Sequence, residues 1–582
     1  MMVPKCCRLL CLVTLLLHAA CARHVPVVGG VIAGVAGLVP RAPTVWTPLA
    51  SLLAGLHLQL TAVPRAPTVW TPLAWLLDGL GATLNLNLTL AAKPHAPTVW
   101  TPLPLASLLA GLGIKITAAV PPTPSLARRA LDPSNITVGS LQYVENSGVC
   151  ETTPGVYQAS GYGEIATNQS LFFWYFASRS GEDTAPLSIW FNGGPGSSSM
   201  LGLFQEMGPC RVTSDGLNYT HNPYAWNNFS NMLFIDQPVG VGFSYGEMSA
   251  NSSQSAAADL WTFMQVFLSD KQFSKLANNS FAIWTESYGG HYGPAFAYRI
   301  LQQNAAIDAG VAKGIKLNLT TLGIGNGLIN PLVQYPSYTT YATSNPYNVT
   351  LANSTVISNA TYSLYVPGGC MDLIGSCYAT QSESGQGNDV VCSQAQQVCN
   401  QYVLTPLVGG YDEYDIRRLQ PDPYPPNLTH LLHDPTLLAA IGVPSYVNWT
   451  QTSQTVYDKF AQTGDWMTNS APYLESVIDS GVRVTMYDGD ADYICNYQGF
   501  EAVADALLTR FSTLYTMQNF TNWTVAGQPA GQYKNAGPLS FVRVAGAGHE
   551  VPAYGINGSL AEGQAALSFF EQTMQGLPIS NT

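Results

Sequence analysis

The run FAIWTESYGGHYGPAFAYRIL, residues 281–301, sets Ser287 between an apolar strand-like stretch and a helix-like one. A strand, a sharp turn bearing serine and then a helix leaves the hydroxyl exposed for attack. Gly289 permits the tight backbone, although Thr285 stands where the usual G-x-S-x-G turn has its first glycine. A serine hydroxyl is a weak nucleophile and needs a base oriented by an acid. Asp492 in YDGDADYIC and His549 in GAGHEVPAY supply both, each just past an apolar run. The order serine, acid, histidine suits this kind of turn. Asp488 and Asp490 compete with Asp492, and spacing alone does not choose between them. His291 lies too near the turn, and His430 and His433 sit in a Pro-rich stretch.

These residues need a scaffold. LSIWFN, NMLFIDQP, FAIWTES, VRVTMYDGD and SFVRVAGAGH are short apolar runs that end in polar, Gly-rich turns. Such runs read as buried strands alternating with helices, an α/β fold with a central, mostly parallel sheet. Chemistry in such sheets gathers at the carboxyl ends of the strands. The segment 331–465 interrupts the pattern and is rich in Pro, Tyr, Asn and Cys.

Six motifs stand in order: WFNGGPGSSSMLGLFQEMGPC at 190–210, NPYAWN at 222–227, DQPVGVGFSY at 236–245, TESYGG at 285–290, YDGDADYIC at 487–495 and GHEVP at 548–552. With them the chain resembles the serine carboxypeptidase family of α/β-hydrolase-fold exopeptidases, from about residue 140 onward. The variants WFNGGPGSSS, WTESYGGHYGP and GHEVP are most similar to those of secreted enzymes from filamentous fungi. The resemblance implies a triad of Ser287, Asp492 and His549, because the family's aspartate lies three residues before a cysteine, here Cys495. It implies an oxyanion hole from the N–H groups of Gly194 and Tyr288. It implies that Asn192, Glu206 and Glu286 bind the substrate's terminal carboxylate, with Trp190 as a buttress. Two glutamates can face an anion only if they hold a proton between them, since like charges disfavour ionisation. Peptide binding should therefore weaken as pH rises.

By the same resemblance, 331–465 is a cap over the site and Cys495 lines the pocket, so mercurials should inhibit. Two positions depart from the family. Ser197 replaces the cysteine of GGPGCSS, and Glu550 stands beside His549 where others often carry an apolar residue. A carboxylate there either favours basic side chains or points to solvent. No cofactor or metal is implied; HEVPA lacks the second histidine of H-E-x-x-H. The substrates implied are peptides and proteins with a free C-terminus. An acyltransferase using the same triad is the rival activity, and a catalytically silent binding protein the rival from another class.

The remaining features concern export and processing. Lys5 and Arg8, the apolar Leu9–Ala19 and Ala20-Cys21-Ala22 read as a signal peptide over residues 1–22. Sixteen Asn-x-Ser/Thr sequons imply N-linked glycans that supply surface polarity where few residues are charged. The expected location is outside the cell, with the vacuole as alternative. Residues 23–129 hold three copies of a PTVWTPL unit and end at Arg128-Arg129, so a propeptide is expected there, and a catalytic domain at 130–582. Seven cysteines follow the signal. Spacings of 7, 15 and 7 among Cys370, Cys377, Cys392 and Cys399 suggest 370–399 nested around 377–392, although sequence does not settle the pairing. Cys150–Cys210 would follow by elimination, leaving Cys495 free. With 23 Lys+Arg against 35 Asp+Glu the chain lacks the basic surplus that binds nucleic acid. No apolar run beyond the first segment reaches a membrane-spanning length, and the end, FFEQTMQGLPISNT, has no apolar anchor tail.

Overall fold

The computed structural model of the chain describes residues 57–61, 83–87 and 139–582, position 557 excepted. The signal peptide expected at 1–22, the Arg128-Arg129 pair and most of the leader lie outside the described residues. The chain divides into two units, residues 1–130 and 131–582. In the first, His57–Thr61 and Thr83–Asn87 pair in parallel. Each strand follows a PTVWTPL unit, so the leader holds regular elements that its proline spacing does not announce.

The second unit is built on a twelve-stranded sheet. Its strands are β1 (Leu141–Glu145), β2 (Gln158–Ala166), β3 (Gln169–Phe176), β4 (Leu187–Phe191), β5 (Asn231–Ile235), β6 (Tyr245–Gly246), β7 (Ser280–Glu286), β8 (Asn318–Gly325), β9 (Arg483–Gly489), β10 (Thr521–Val525), β11 (Gln528–Ala536) and β12 (Leu539–Val544). The spatial order is β10-β11-β12-β9-β8-β7-β4-β5-β3-β2-β1, with β6 on β3. From β12 to β5 every neighbour is parallel, and antiparallel strands flank this centre on both sides. The five runs read as strands from sequence are β4, β5, β7, β9 and β12. The antiparallel flanks and β8 are additional.

Helices α1 (Ser253–Ser269), α2 (Gly289–Asp308), α3 (Pro331–Tyr341), α4 (Cys370–Thr380), α5 (Asp389–Cys399), α6 (Gln454–Thr463) and α7 (Gln564–Met574) pack around it. Successive strand residues point to opposite faces. In β3, Leu171, Phe173 and Tyr175 join one core with Phe263 and Phe267 of α1 and Phe296 of α2. Phe172, Trp174 and Phe176 join another with Phe569 and Phe570 of α7. Both faces are covered, which is why LFFWYF shows no polar alternation. Helix α1 starts on a reciprocal cap: the Ser252 hydroxyl accepts from Ser255 N, and the Ser255 hydroxyl accepts from Ser252 N.

The stretch between β8 and β9 is helical and stapled. Disulfides 370–399 and 377–392 join α4 to α5, and a third joins Cys150 to Cys210. A spacing of seven places both cysteines of each helix on one face. Two antiparallel helices then meet in nested pairs. No described helix is long and apolar enough to cross a membrane.

Candidate active site

Strand β7 ends at Glu286, and α2 begins at Gly289. Ser287 bridges them at φ 65°, a left-handed conformation that a side-chain-bearing residue rarely adopts. Its N–H donates to Gly325 O at 2.9 Å and its carbonyl accepts from Leu328 N at 3.0 Å, so β8 and its following loop hold the turn. Thr285, at the position where glycine is usual, is fully buried and donates to Gly289 O at 3.0 Å. The departure is absorbed by a hydrogen bond rather than by open space.

His549 Nδ1 lies 2.8 Å from Asp492 Oδ2, and both residues are buried. Asp492 Oδ2 also accepts from Asn326 Nδ2 at 2.9 Å and from Cys495 N at 3.2 Å, and Oδ1 accepts from Ile494 N at 3.1 Å. Burial disfavours the imidazolium, but the charge and hydrogen bond of Asp492 outweigh it, and Glu550 and Glu413 add to them. His549 is thereby lifted above its ordinary range. Among the described residues no hydrogen bond joins Ser287 to the imidazole, whose one side-chain bond is to Asp492. Such contacts often tighten only around substrate.

The competing acids and histidines are engaged elsewhere. Asp488 Oδ1 accepts from Asn326 Nδ2 at 3.1 Å, and Asp490 accepts from the Tyr347 hydroxyl and from Gly546 N. His291 is buried between Ser470 Oγ and Trp466 O, and His433 is exposed beside Thr429 O and Asn448. His430 is exposed.

The glycine-rich loop after β4 packs against the serine turn. A Cβ on Gly193 would stand 2.3 Å from Tyr288 N, so no side chain fits there. The N–H groups of Gly194 and Tyr288 have no acceptor among the described residues. The Tyr288 hydroxyl donates to Asp465 Oδ2 at 2.6 Å, and Ser253 donates to the same oxygen through N and Oγ. Gly196 O accepts from Ser453 N at 2.8 Å, which ties this loop to the helical stretch. Ser197, in the place of the family cysteine, sits at a bridge to Thr452.

One step from Ser287 lies a buried cluster. Asn192 Oδ1 accepts from Trp190 Nε1 at 2.7 Å and from Gly202 N at 2.9 Å. Two donors on the oxygen fix the amide's orientation. Its Nδ2 then donates to Glu206 Oε1 at 3.2 Å and to Glu286 Oε1 at 3.0 Å. Both amide hydrogens are therefore engaged by the glutamates, and any bond from Asn192 to a substrate must be drawn from one of them. Burial raises Glu206 to about 7. Burial and the neighbouring Glu206 and Glu550 charges raise Glu286 well above its ordinary value. The second oxygen of each is buried without a partner among the described residues. Glu550 is half-buried, with its Oε2 enclosed and unpaired among the described residues, and burial with the Glu206 charge raises it to about 8. Cys495 is also enclosed, and burial pushes its thiol up, so it is neutral rather than a ready thiolate.

Three neighbours stand outside the motifs read from the sequence. Tyr414 stands 5.1 Å from the His549 ring, and its carbonyl accepts from His549 N. Glu413 precedes it, with its carboxyl raised by burial. Asn326 joins Asp488 to Asp492. Tyr414 and Glu413 come from the variable stretch between β8 and β9, where spacing gives no signal. Asn326 follows an apolar strand, which was a signal.

Residues 149–570 match the sequence model of the family described as serine carboxypeptidase. Carboxypeptidase S1 of Penicillium janthinellum is 41% identical over 443 residues, 76% of this chain and 100% of that protein. A carboxypeptidase Y homolog A of Arthroderma gypseum is 34% identical over 436 residues, 73% of this chain and 75% of that one. Among solved structures, the prohormone-processing carboxypeptidase Kex1(delta)p of Saccharomyces cerevisiae aligns with a TM-score of 0.58 at 24% identity, covering 76% of this chain and 95% of that one. That likeness establishes the α/β-hydrolase fold. With the family match spanning most of the chain and the relatives agreeing, this chain belongs to the serine carboxypeptidase family and is a serine-type carboxypeptidase.

Proposed function

We propose that the chain removes C-terminal residues from peptides and proteins through an acyl-enzyme on Ser287. His549 takes the serine proton as Oγ attacks the last peptide carbonyl, then gives it to the departing amino acid. Asp492 holds the imidazole by Nδ1 and stabilises its cation, which agrees with the 2.8 Å contact and the raised His549. The free N–H groups of Gly194 and Tyr288 receive the developing oxyanion, each donor contributing roughly 3 kcal/mol by comparison with other serine hydrolases. Water then attacks the ester with His549 again as base.

The observation that carries this reading is the Asn192–Glu206–Glu286 cluster, one residue from the nucleophile. Buried carboxyls that retain protons near neutrality can donate hydrogen bonds to a substrate carboxylate that ionised ones would repel. The preference for acid resides in this binding step. The chemical step has the opposite tendency, because a raised His549 must lose its proton to act as base. Their product is a bell-shaped profile. The half-buried Glu550 beside His549 favours basic C-terminal residues.

The signal-like start and the sequon density support an exported glycoprotein, secreted or vacuolar. Arg128-Arg129 supports removal of the leader. The test is release of C-terminal amino acids from blocked dipeptides at about pH 4.5 and 7, wild type against Ser287→Ala. Release that vanishes in the variant supports the proposal. No release from the processed wild type overturns it.

A further inference from the structure

Behind Asp492 stands a second buried carboxyl group that the hydrolytic steps leave unused. Strands β8 and β9 run side by side in parallel, so Asn326, the residue after β8, meets Asp488 near the end of β9. The Asn326 backbone is left-handed at φ 41°, a conformation that asparagine tolerates better than most residues. Its Oδ1 accepts from Gly489 N at 3.2 Å, which fixes the orientation of the amide. Its Nδ2 then donates to Asp488 Oδ1 at 3.1 Å and to Asp492 Oδ2 at 2.9 Å.

Asp488 is fully buried, and its Oδ2 has no hydrogen-bond partner among the described residues. Arg543, its strand partner on β12, directs its side chain to Glu501 and Gln532 instead. With the ionised Asp492 one amide away, Asp488 keeps its proton. Burial and the charges of Asp492, Glu501 and Asp490 all favour that proton, against Arg543 alone. Oδ1, the acceptor, is then the carbonyl oxygen and Oδ2 the hydroxyl.

Asp492 Oδ2 is also the oxygen that faces His549 Nδ1. A hydrogen bond to a carboxylate favours its charge and leaves that oxygen a weaker partner for the next donor. An amide hydrogen on Oδ2 therefore loosens the hold of Asp492 on the imidazolium. The other groups facing His549 do not: Glu413 and Glu550 both favour the cation, and burial keeps Tyr414 uncharged. Near Asp492, Tyr338 and Tyr341 give their hydroxyls to Ile494 O and Asp490 O, and the Cys495 thiol is neutral.

We propose that Asn326 is a positioning residue of the hydrolysis, locked by Asp488 through one amide hydrogen so that the other draws charge from Asp492 and frees His549 to act as base at lower pH. The proposal rests on the carboxypeptidase reading above. The test is the pH dependence of kcat on a blocked peptide ester, which lacks the terminal carboxylate and so bypasses binding through Glu206 and Glu286. Asn326→Gly deletes the amide and suits the left-handed backbone. Its acid limb should move up by about one pH unit, a roughly ten-fold loss on that limb that closes toward the alkaline plateau. Asp488→Leu frees the amide and should move the limb the same way. Asp488→Asn, which keeps an acceptor for Asn326, should bring it back. A loss of equal size at every pH makes Asn326 merely structural and overturns the proposal. So does a limb that stays in place, or one that moves down in Asp488→Leu, as it would if Asp488 carried a charge. If Asn326→Gly does not fold, the two Asp488 variants decide. These outcomes leave the carboxypeptidase standing, whereas no ester hydrolysis by wild type overturns both.

Discussion

Replacing Glu206 and Glu286 together by glutamine isolates the proton that the carboxylate site depends on. The amides keep the shape and donate at every pH. In the wild type Glu206 is raised to about 7 and Glu286 further, so the pair is essentially neutral at pH 5. One unit above a pKa of about 7, only about a tenth of a group remains protonated. Ionisation of Glu206 sets a charge beside the substrate carboxylate while Glu286, raised further, keeps its proton, so KM for a peptide should rise by up to about ten-fold between pH 5 and 8, with Glu550, at about 8, adding negative charge at the top of that range. The substrate's own carboxylate ionises near 3.5 and stays charged throughout, so it does not produce the trend. A peptide amide, which lacks the carboxylate, should show a flat KM. The double variant should flatten KM for the peptide. Separate measurement of KM and kcat keeps the His549 ionisation out of the comparison. A flat peptide KM in wild type, or a parallel rise for the amide, would refute the shared-proton account.

Ser287→Ala should lower kcat on the order of a million-fold and Asp492→Asn on the order of ten thousand-fold, with folding unchanged by circular dichroism. Thermal stability should fall as pH rises from about 5 to 8. Asp236 is raised to about 6 and Glu206, Glu475 and Glu501 to about 7, so the folded state holds protons that the unfolded chain releases once pH passes the ordinary carboxyl range. Melting temperatures that rise over that window would contradict this. Preference for C-terminal Lys over Leu should grow with pH as Glu550 ionises and disappear in Glu550→Leu; identical profiles in both proteins would remove Glu550 from specificity.

The nucleophile turn was legible because strand, turn and helix are each local patterns, and Ser287 lies where they meet. The five core strands were legible because burial on both faces writes an unbroken apolar run. The antiparallel β10 and β11 were not, since their exposed faces leave a weak pattern. Asp488, Asp490 and Asp492 were equivalent by spacing. Family resemblance chose Asp492, and the 2.8 Å contact with His549 sets it apart physically.

By itself, then, the chain's order of residues determined the fold class, the family, the serine turn and the candidate acids and base, because these depend on short-range patterns and motifs. Tertiary structure decided what depends on distance and burial. It engaged both hydrogens of Asn192 on Glu206 and Glu286, enclosed one carboxyl oxygen of Glu550, and drew Tyr414 from the helical stretch against His549. It also shut Cys495 away from solvent. A carboxyl's proton affinity is set by the charges and solvent around it in space, and residues 94 positions apart along the chain, such as Asn192 and Glu286, become neighbours only when the sheet assembles.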